Sequence, residues 1–230
     1  MSSLTGRCIL ITGATGGLGK AVVRAFLQEG AFVAGTARRW SGEDAVYGLL
    51  QVQADLTTPE GAEAAVRAVL NARGRLDAVV HLVGGFAMDG PLASTKVDTW
   101  DRMMSINARS AFLVFRAALA ASQPDGLRRL IAVGSRAGGQ ASPGAIAYAV
   151  SKAAVHALIV SLAAEVADRG ITVNAVLPGV IDTAANRTAM PDADFSKWVT
   201  PESIAETLVW LASDAAGDTS GALIPVYGRS

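Results

Sequence analysis

Two side chains suited to proton transfer, Tyr148 and Lys152, stand four residues apart, and Ser135 lies thirteen residues before the tyrosine. A four-residue spacing puts both side chains on one face of a helix, about 6 Å of axial rise apart. A neighbouring ammonium favours the phenolate form of a tyrosine, whose unperturbed pKa is about 10. A proton donor at neutral pH needs a pKa roughly three units lower, a change of about 4 kcal/mol. The pair predicts an acid–base site, and the alternative is a solvated helix face.

A glycine-rich turn near the N-terminus joins an apolar run to a helical pattern. The turn reads T-G-x-x-x-G-x-G, with Thr12, Gly13, Gly17 and Gly19 on the pattern. Glycines let backbone amides approach a pyrophosphate, and the following helix N-terminus adds positive potential. The spacing differs from the common G-x-G-x-x-G fingerprint. It indicates dinucleotide binding, and the alternative is a mere tight strand-to-helix turn.

The elements that must position these residues alternate along the whole chain. Continuous apolar runs are typical of parallel strands covered on both faces. Strands that alternate with helices predict right-handed β-α-β units, and hence a doubly wound, Rossmann-like parallel sheet with helices on both faces. The seven predicted strands are Arg7–Thr12, Phe32–Thr36, Leu49–Gln53, Ala78–Leu82, Leu130–Val133, Thr172–Leu177 and Ala222–Val226. Helices are predicted near 17–29, 58–72, 100–122, 145–168 and 201–212.

Length and composition exclude several classes of protein. The 230 residues suffice for one well-buried domain, and no linker or repeat divides them, so we expect a single domain over 1–230. The 20 basic and 20 acidic side chains cancel, and no charged stripe indicates a nucleic acid or membrane partner. Neither a signal peptide nor an uninterrupted membrane-length apolar run is evident. The lone Cys8 fits a reducing compartment, so we expect a soluble, cytoplasmic protein.

With these motifs in this order, the chain resembles the classical short-chain dehydrogenases/reductases over essentially all of its length. Asp55 follows the third predicted strand, where the family contacts adenine. Asn107 lies at the family's helix asparagine, and Ser135 closes the fifth strand. The turn at Pro178 and Gly179 follows the sixth strand, as the family's proline-glycine turn does.

One segment departs from the family's pattern. After the fourth strand the family usually carries N-N-A-G, whereas this chain has His81-Leu82-Val83-Gly84, and only Gly84 matches. The usual asparagine-mediated support is therefore missing there. We expect His81 to be a packed strand-end residue, with a catalytic role as the alternative.

The resemblance implies an NAD(P)-dependent oxidoreductase that transfers a hydride between the cofactor and a carbonyl or alcohol substrate, with no metal. Tyr148 would donate the proton, while Lys152 would lower the tyrosine pKa and hold the nicotinamide ribose. Ser135 would hydrogen-bond the substrate oxygen, and Asn107 would hold a water that relays protons. The implied cofactor contacts are Thr12, Gly13, Thr15, Gly16, Gly17, Leu18, Gly19, Arg38, Arg39, Asp55, Leu56, Gly84, Tyr148, Lys152, Pro178, Gly179, Ile181 and Thr183.

The end of the second strand indicates which dinucleotide is bound. Enzymes that select NAD usually place an acid there for the ribose 2′-hydroxyl. This chain has Ala37 followed by Arg38 and Arg39, and a guanidinium can grip a 2′-phosphate with two hydrogen bonds. We expect NADP(H) to be preferred over NAD(H), with Arg38 the stronger contact. The alternative is a solvated basic loop.

The substrate is expected to meet Phe86, Met88, Gln140, Ile146 and the segment 183–199, a predicted lid that contains Trp198. Residues 190–198 are also similar to the matching stretch of dihydropteridine reductases. Those enzymes keep the Tyr and Lys but generally lack the serine. Reduction of a quinonoid pterin is therefore one alternative function, and a non-catalytic NADP(H)-binding sensor, which needs neither Ser135 nor Tyr148, is another.

The last predicted feature is a subunit contact. His156 lies roughly 12 Å along the helix from Tyr148, too far to share its proton, and is expected to be a packing or subunit-contact residue. The helix from Ala145 to Asp168 is apolar on more than one face. In the resembled family such helices pair between subunits, so we expect a homodimer or homotetramer. Burial within the monomer is the competing explanation.

Overall fold

A computed structural model describes residues 4–122, 126–140 and 142–229, except for the side chain of Glu43. The described residues form one sheet of seven parallel strands in the order β3-β2-β1-β4-β5-β6-β7. The strands are β1 Cys8–Thr12, β2 Phe32–Ala37, β3 Leu49–Gln53, β4 Ala78–His81, β5 Arg129–Val133, β6 Thr172–Pro178 and β7 Leu223–Val226. The predicted doubly wound parallel sheet is confirmed, and each predicted strand end agrees to within one residue.

Helices connect the strands and cover both faces. They are α1 Gly17–Gln28, α2 Pro59–Arg73, α3 Val97–Met103, α4 Ser110–Ala120, α5 Ile146–Glu165, α6 Ala184–Ala189 and α7 Pro201–Ala212. Threonine hydroxyls cap α2 and α7, because Thr58 accepts the Gly61 N–H at 3.1 Å and Thr200 accepts the Ser203 N–H at 3.2 Å. A proline follows each cap at the first helical position, where its missing N–H costs nothing.

Two apolar cores flank the sheet. Alternate side chains of a strand point to opposite faces, so Leu10 and Val79 pack into the core that includes α2, α4 and α5. Ile11 and Val80 belong to the core formed with α1 and α7. Burial on both faces explains the apolar character of the inner strands, whereas the edge strands β3 and β7 are partly exposed.

The helix predicted over 100–122 is interrupted. Between α3 and α4 the backbone forms a π-helical turn, Met104–Arg109, which contains Asn107. Such turns occur mostly as single insertions in α-helices, frequently at functional sites. The helical stretch predicted near 100–122 is confirmed, and the apolar periodicity of the flanking helices does not reveal the π-helical turn inside it.

The helix α5 is long and apolar enough to cross a membrane, by length and composition only. The core helix of a water-soluble protein passes the same test. In this fold α5 packs one face against the sheet, and Val155, Ile159 and Leu162 are buried there. The feature is therefore explained by packing inside the domain.

Candidate active site

Three of the predicted catalytic side chains meet at the carboxyl end of β5. Tyr148 and Lys152 lie on consecutive turns of α5, and Ser135 follows the last residues of the strand. The Ser135 hydroxyl lies close enough to the Tyr148 phenol to influence its pKa, and Ser135 Oγ accepts the Ala137 N–H at 3.2 Å. Lys152 donates from Nζ to the Val133 carbonyl at 2.9 Å. The chain thus brings the serine, the phenol and the ammonium together.

Burial controls the ionisation of this cluster. It raises the pKa of Tyr148, and the hydrogen bond with Ser135 opposes that effect. Burial also lowers the pKa of Lys152 to about 8. The lowering of the tyrosine pKa expected from the sequence is therefore corrected, because the loss of solvent around the phenol outweighs the opposing effect of Ser135.

Asn107 is buried, and its side chain connects the segment after β4 with helix α5. Its amide donates to the Gly85 carbonyl at 3.1 Å and to Ser151 Oγ at 2.9 Å, while its Oδ1 accepts the Gly85 N–H at 2.9 Å. Ser151 in turn donates to the Tyr148 carbonyl at 2.7 Å. These bonds tie the segment after β4 to the helix that carries the tyrosine. The predicted water-holding role of Asn107 stays a prediction.

Ser151 was missed by the sequence reasoning. It is fully buried between Tyr148 and Lys152 on α5. A lone hydroxyl between two chemically active residues of an apolar helix was the available signal, because a buried hydroxyl needs a partner.

His81 is buried at the end of β4 and both of its ring nitrogens are bonded. Nδ1 lies 3.1 Å from Thr12 Oγ1, and Nε2 lies 3.1 Å from Ser110 Oγ. Ser110 donates its own proton to the Ile106 carbonyl at 2.6 Å, so it must accept from an Nε2–H of the histidine. Burial, followed by the Lys152 charge, lowers the pKa of His81 to about 3. The ring is therefore neutral and joins the glycine-rich turn to the π-helical turn.

The glycine-rich turn is built so that backbone, not side chains, meets a ligand. No side chain caps the first turn of α1, and none of its residues is acidic, so its amides can receive an anion. Gly13 has φ +69°. A Cβ at Gly19 would lie 2.1 Å from the Gly13 carbonyl oxygen, and one at Gly17 would lie 2.9 Å from Thr183 Cγ2. The turn therefore requires glycine, and Thr183 lies against it.

A cleft of about 510 Å³ opens beside this turn. It adjoins a second one of about 800 Å³, with which it shares Thr15, Arg38, Ala54 and Asp55. Predicted cofactor contacts in the two walls are Gly13, Thr15, Gly16, Arg38, Arg39, Asp55, Leu56 and Gly84. Free helix amides, glycines and basic side chains in one cleft fit the phosphates and ribose of a dinucleotide.

Other predicted cofactor residues stand behind or beside this cleft. Thr12 is fully buried, and its hydroxyl accepts the Leu82 N–H at 3.0 Å, so it supports the turn from inside. A Cβ at Gly84 would lie 2.8 Å from Asn107 Oδ1 and 3.2 Å from Lys152 Nζ, so the cleft wall packs this closely against both side chains because the residue is glycine. Pro178 ends β6, Gly179 donates to the Val226 carbonyl at 3.3 Å, and Ile181 pairs with Val199.

The loop that carries the two arginines is held by an ion pair that the sequence did not indicate. Lys20 of α1 lies 2.9 Å from a carboxylate oxygen of Asp44, and Ser41 donates to the same carboxylate at 2.7 Å. Hydrogen bonds from Lys20 and Ser41 lower the pKa of Asp44 to about 2. Arg38 and Arg39 are exposed between β2 and this anchor.

The predicted substrate residues differ in position. Phe86 is 61% exposed and meets the Tyr148 ring edge-on, with ring centroids 4.9 Å apart. Gln140 is exposed and Ile146 is half-buried at the start of α5. Trp198 is only 9% exposed and packs against Phe195, with centroids 4.7 Å apart. Phe86 therefore forms a wall at the phenol, whereas Trp198 lies inside the lid.

The predicted lid, 183–199, is more regular than its polar sequence suggested. It contains α6 and a 3-10 turn, Phe195–Lys197. Its two ends are joined, because Asp182 N–H donates to the Val199 carbonyl at 2.8 Å. Arg187 pairs with Asp182 at 2.6 Å and lies 4.8 Å above the Phe195 ring.

Comparisons with known proteins show the family of this chain. A family model described as enoyl-(acyl carrier protein) reductase matches residues 13–228. The 3-oxoacyl-(acyl carrier protein) reductase FabG of Vibrio cholerae is 34% identical over 98% of each chain. A short-chain dehydrogenase/reductase from Serratia marcescens superposes with a TM-score of 0.89 at 31% identity, over 98% of each chain. ElxO with NADP bound superposes with a TM-score of 0.89 at 26% identity, over 99% of this chain and 98% of the other.

The parallel sheet, the glycine-lined cleft and the Ser/Tyr/Lys cluster define a dinucleotide-dependent oxidoreductase. The chain belongs to the classical short-chain dehydrogenase/reductase family, and its activity is that of an NAD(P)-dependent oxidoreductase.

Proposed function

We propose that this protein interconverts a small carbonyl compound and its alcohol with NADP(H), and that Tyr148 is the acid–base group. The observation that carries the proposal is the placement of the Ser135 hydroxyl beside the Tyr148 phenol, at the edge of the sheet where the glycine-rich turn also lies. A carbonyl oxygen that entered between these two hydroxyls would accept from both.

The protein's own contribution to this reaction is a proton and two hydrogen bonds. A bound dinucleotide would supply the hydride to the carbonyl carbon. The phenol of Tyr148 gives its proton to the carbonyl oxygen, and the electron pair of the broken O–H bond stays on the phenolate. The Ser135 hydroxyl holds the same oxygen while negative charge develops there, which is where preorganised donors stabilise a transition state most.

Lys152 serves this step through its charge. Its pKa of about 8 leaves the ammonium mostly protonated at neutral pH. A cation one helical turn from a phenolate stabilises it in a site with little water. Nζ packs closely against Gly84 of the cleft wall, which supports an additional contact with the nicotinamide ribose.

The preference for NADP(H) is proposed from the end of β2. Ala37 brings no carboxylate to that position, and Arg38 lines both adjoining clefts. A 2′-phosphate there would meet guanidinium donors, whereas NAD would leave them unpaired.

The exposed ring of Phe86 beside Tyr148 favours a substrate with an apolar group next to its carbonyl. The relatives' names point to 3-oxoacyl thioesters as one such class.

The test is NADPH consumption at 340 nm with ketones, aldehydes, 3-oxoacyl thioesters and quinonoid dihydropterin. We expect turnover of a carbonyl that is lost in Tyr148→Phe. Pterin turnover far above every carbonyl would replace the proposed substrate class, and dinucleotide binding without any oxidation would indicate a sensor.

We also propose a cytoplasmic homodimer or homotetramer. Support comes from exposed apolar side chains on the outer faces of α4 and α5, namely Phe112, Val150 and Val160. Light scattering after size-exclusion chromatography measures the assembly directly, and a monomer at micromolar concentration would contradict it.

A further inference from the structure

We infer that His156 is a positioning residue that sets the backbone of Ser135 for the substrate. The inference rests on the proposed role of Ser135 in holding the carbonyl oxygen. The consequence is that one helix, α5, carries both the proton donor and the support of the serine opposite it.

The imidazole lies directly behind the serine. His156 is one helical turn beyond Lys152, and its side chain is only 7% exposed. Its Nε2 lies 3.4 Å from the backbone N of Ser135, with the N–H directed toward the ring. The bond is long, so its role is to orient the peptide rather than to add much stability.

The loop is shaped around this ring. A Cβ at Gly134 would lie 2.7 Å from His156 Nε2, and one at Gly138 would lie 2.6 Å from Cε1. Both separations are shorter than contacts between non-bonded atoms permit, so the loop can approach the imidazole only because both positions are glycine. The two glycines bracket Ser135 and the short 3-10 turn Arg136–Gly138.

A neutral His156 ring can accept the Ser135 N–H at Nε2. Nε2 can accept the Ser135 N–H only when the proton is on Nδ1 and the ring is neutral. Burial, and then the charge of Lys152, lower the pKa of His156. With its N–H directed at the imidazole and its Oγ accepting from Ala137, Ser135 is held at two points.

Substitution at position 156 tests the inference. In His156→Leu we expect kcat for carbonyl reduction to fall by about 10-fold or more, with an unchanged Kd for NADPH, because supports of a site residue typically cost 10- to 100-fold. His156→Gln keeps an acceptor and is expected to recover most of the loss. In a Ser135→Ala background, His156→Leu should cost less than about 2-fold, since the group it positions is gone.

If His156→Leu lowers kcat by the same factor in the Ser135→Ala background as in the wild type, the inference is overturned. Equal losses of kcat in His156→Leu and His156→Gln would overturn it as well. Circular dichroism and thermal unfolding confirm that each variant is folded. Should His156→Leu not fold, the comparison of His156→Gln with wild type in both serine backgrounds decides the question.

A second readout does not depend on turnover. The phenolate absorbance of Tyr148 near 295 nm is isolated by subtracting the titration of Tyr148→Phe. Because the Ser135 hydrogen bond opposes the rise in the tyrosine pKa, His156→Leu should move that pKa upward. An unchanged titration in a folded variant contradicts the inference even if no carbonyl is reduced, whereas absent turnover in the wild type contradicts only the proposed function.

Discussion

The Ser135 hydroxyl faces the Tyr148 phenol across the gap between the end of β5 and the start of α5, close enough to influence the pKa of the phenol. This contact joins two elements that the chain connects only through a loop. It defines where a carbonyl oxygen would sit, since both groups are donors in their neutral forms. The effects expected of substitutions at this site follow from that contact and from the residues that support it.

Removal of the two hydroxyls should have unequal effects. Tyr148→Phe removes the proton donor and is expected to lower kcat by about 10³-fold, within the range for general acid catalysis. Ser135→Ala removes one donor to the developing oxyanion and is expected to cost about 10²-fold. Steady-state NADPH oxidation measures both. Near-normal kcat in Tyr148→Phe would refute the assignment of the acid.

Arg38→Ala should change cofactor preference. We expect kcat/KM for NADPH to fall by roughly 10- to 100-fold, because a hydrogen bond to a charged group is worth about 1.5–3 kcal/mol. The value for NADH should hardly change. Arg67→Ala on α2, which removes a guanidinium paired with Glu63 on the surface, is the matched control. Equal kcat/KM values for NADPH and NADH in the wild type would contradict the proposed preference for NADP(H).

The pH profile should reflect Lys152. Its pKa is lowered to about 8, so the ammonium that stabilises the phenolate is lost as the pH rises through that value. Carbonyl reduction is therefore expected to be level below pH 7 and to decline above about pH 8. In Lys152→Ala the rate should be low throughout, without that inflection. A wild-type rate that rises between pH 8 and 9 would contradict this reading.

His81→Leu should destabilise the protein by about 2–4 kcal/mol, because it removes both ring hydrogen bonds, leaves the Thr12 hydroxyl proton without its buried acceptor and creates a cavity. Urea unfolding measures the loss of free energy. In the double variant with Ser110→Ala the hydrogen bond between His81 and Ser110 is lost only once, so the combined loss should be smaller than the sum of the single losses. Strict additivity would show that His81 acts by packing alone.

Much of the fold could be predicted because its signals are local. A strand buried on both faces must be largely apolar, so the inner strands of the sheet are evident in the chain itself. The glycine-rich turn and the Tyr148/Lys152 spacing also lie within single elements. The π-helical turn at Asn107 could not be predicted, because one extra residue in a helical turn leaves the flanking periodicity intact.

By itself, the sequence determined the order of the elements, the pairing of Tyr148 with Lys152 and the glycines of the cofactor turn. Only the tertiary structure decided what stands behind the site: His81 between Thr12 and Ser110, His156 behind Ser135, and Ser151 beside Asn107. It also reversed the expected direction of the Tyr148 pKa. Solvent exposure and partners distant in the chain set these properties, and neither is encoded in the spacing of residues along one helix.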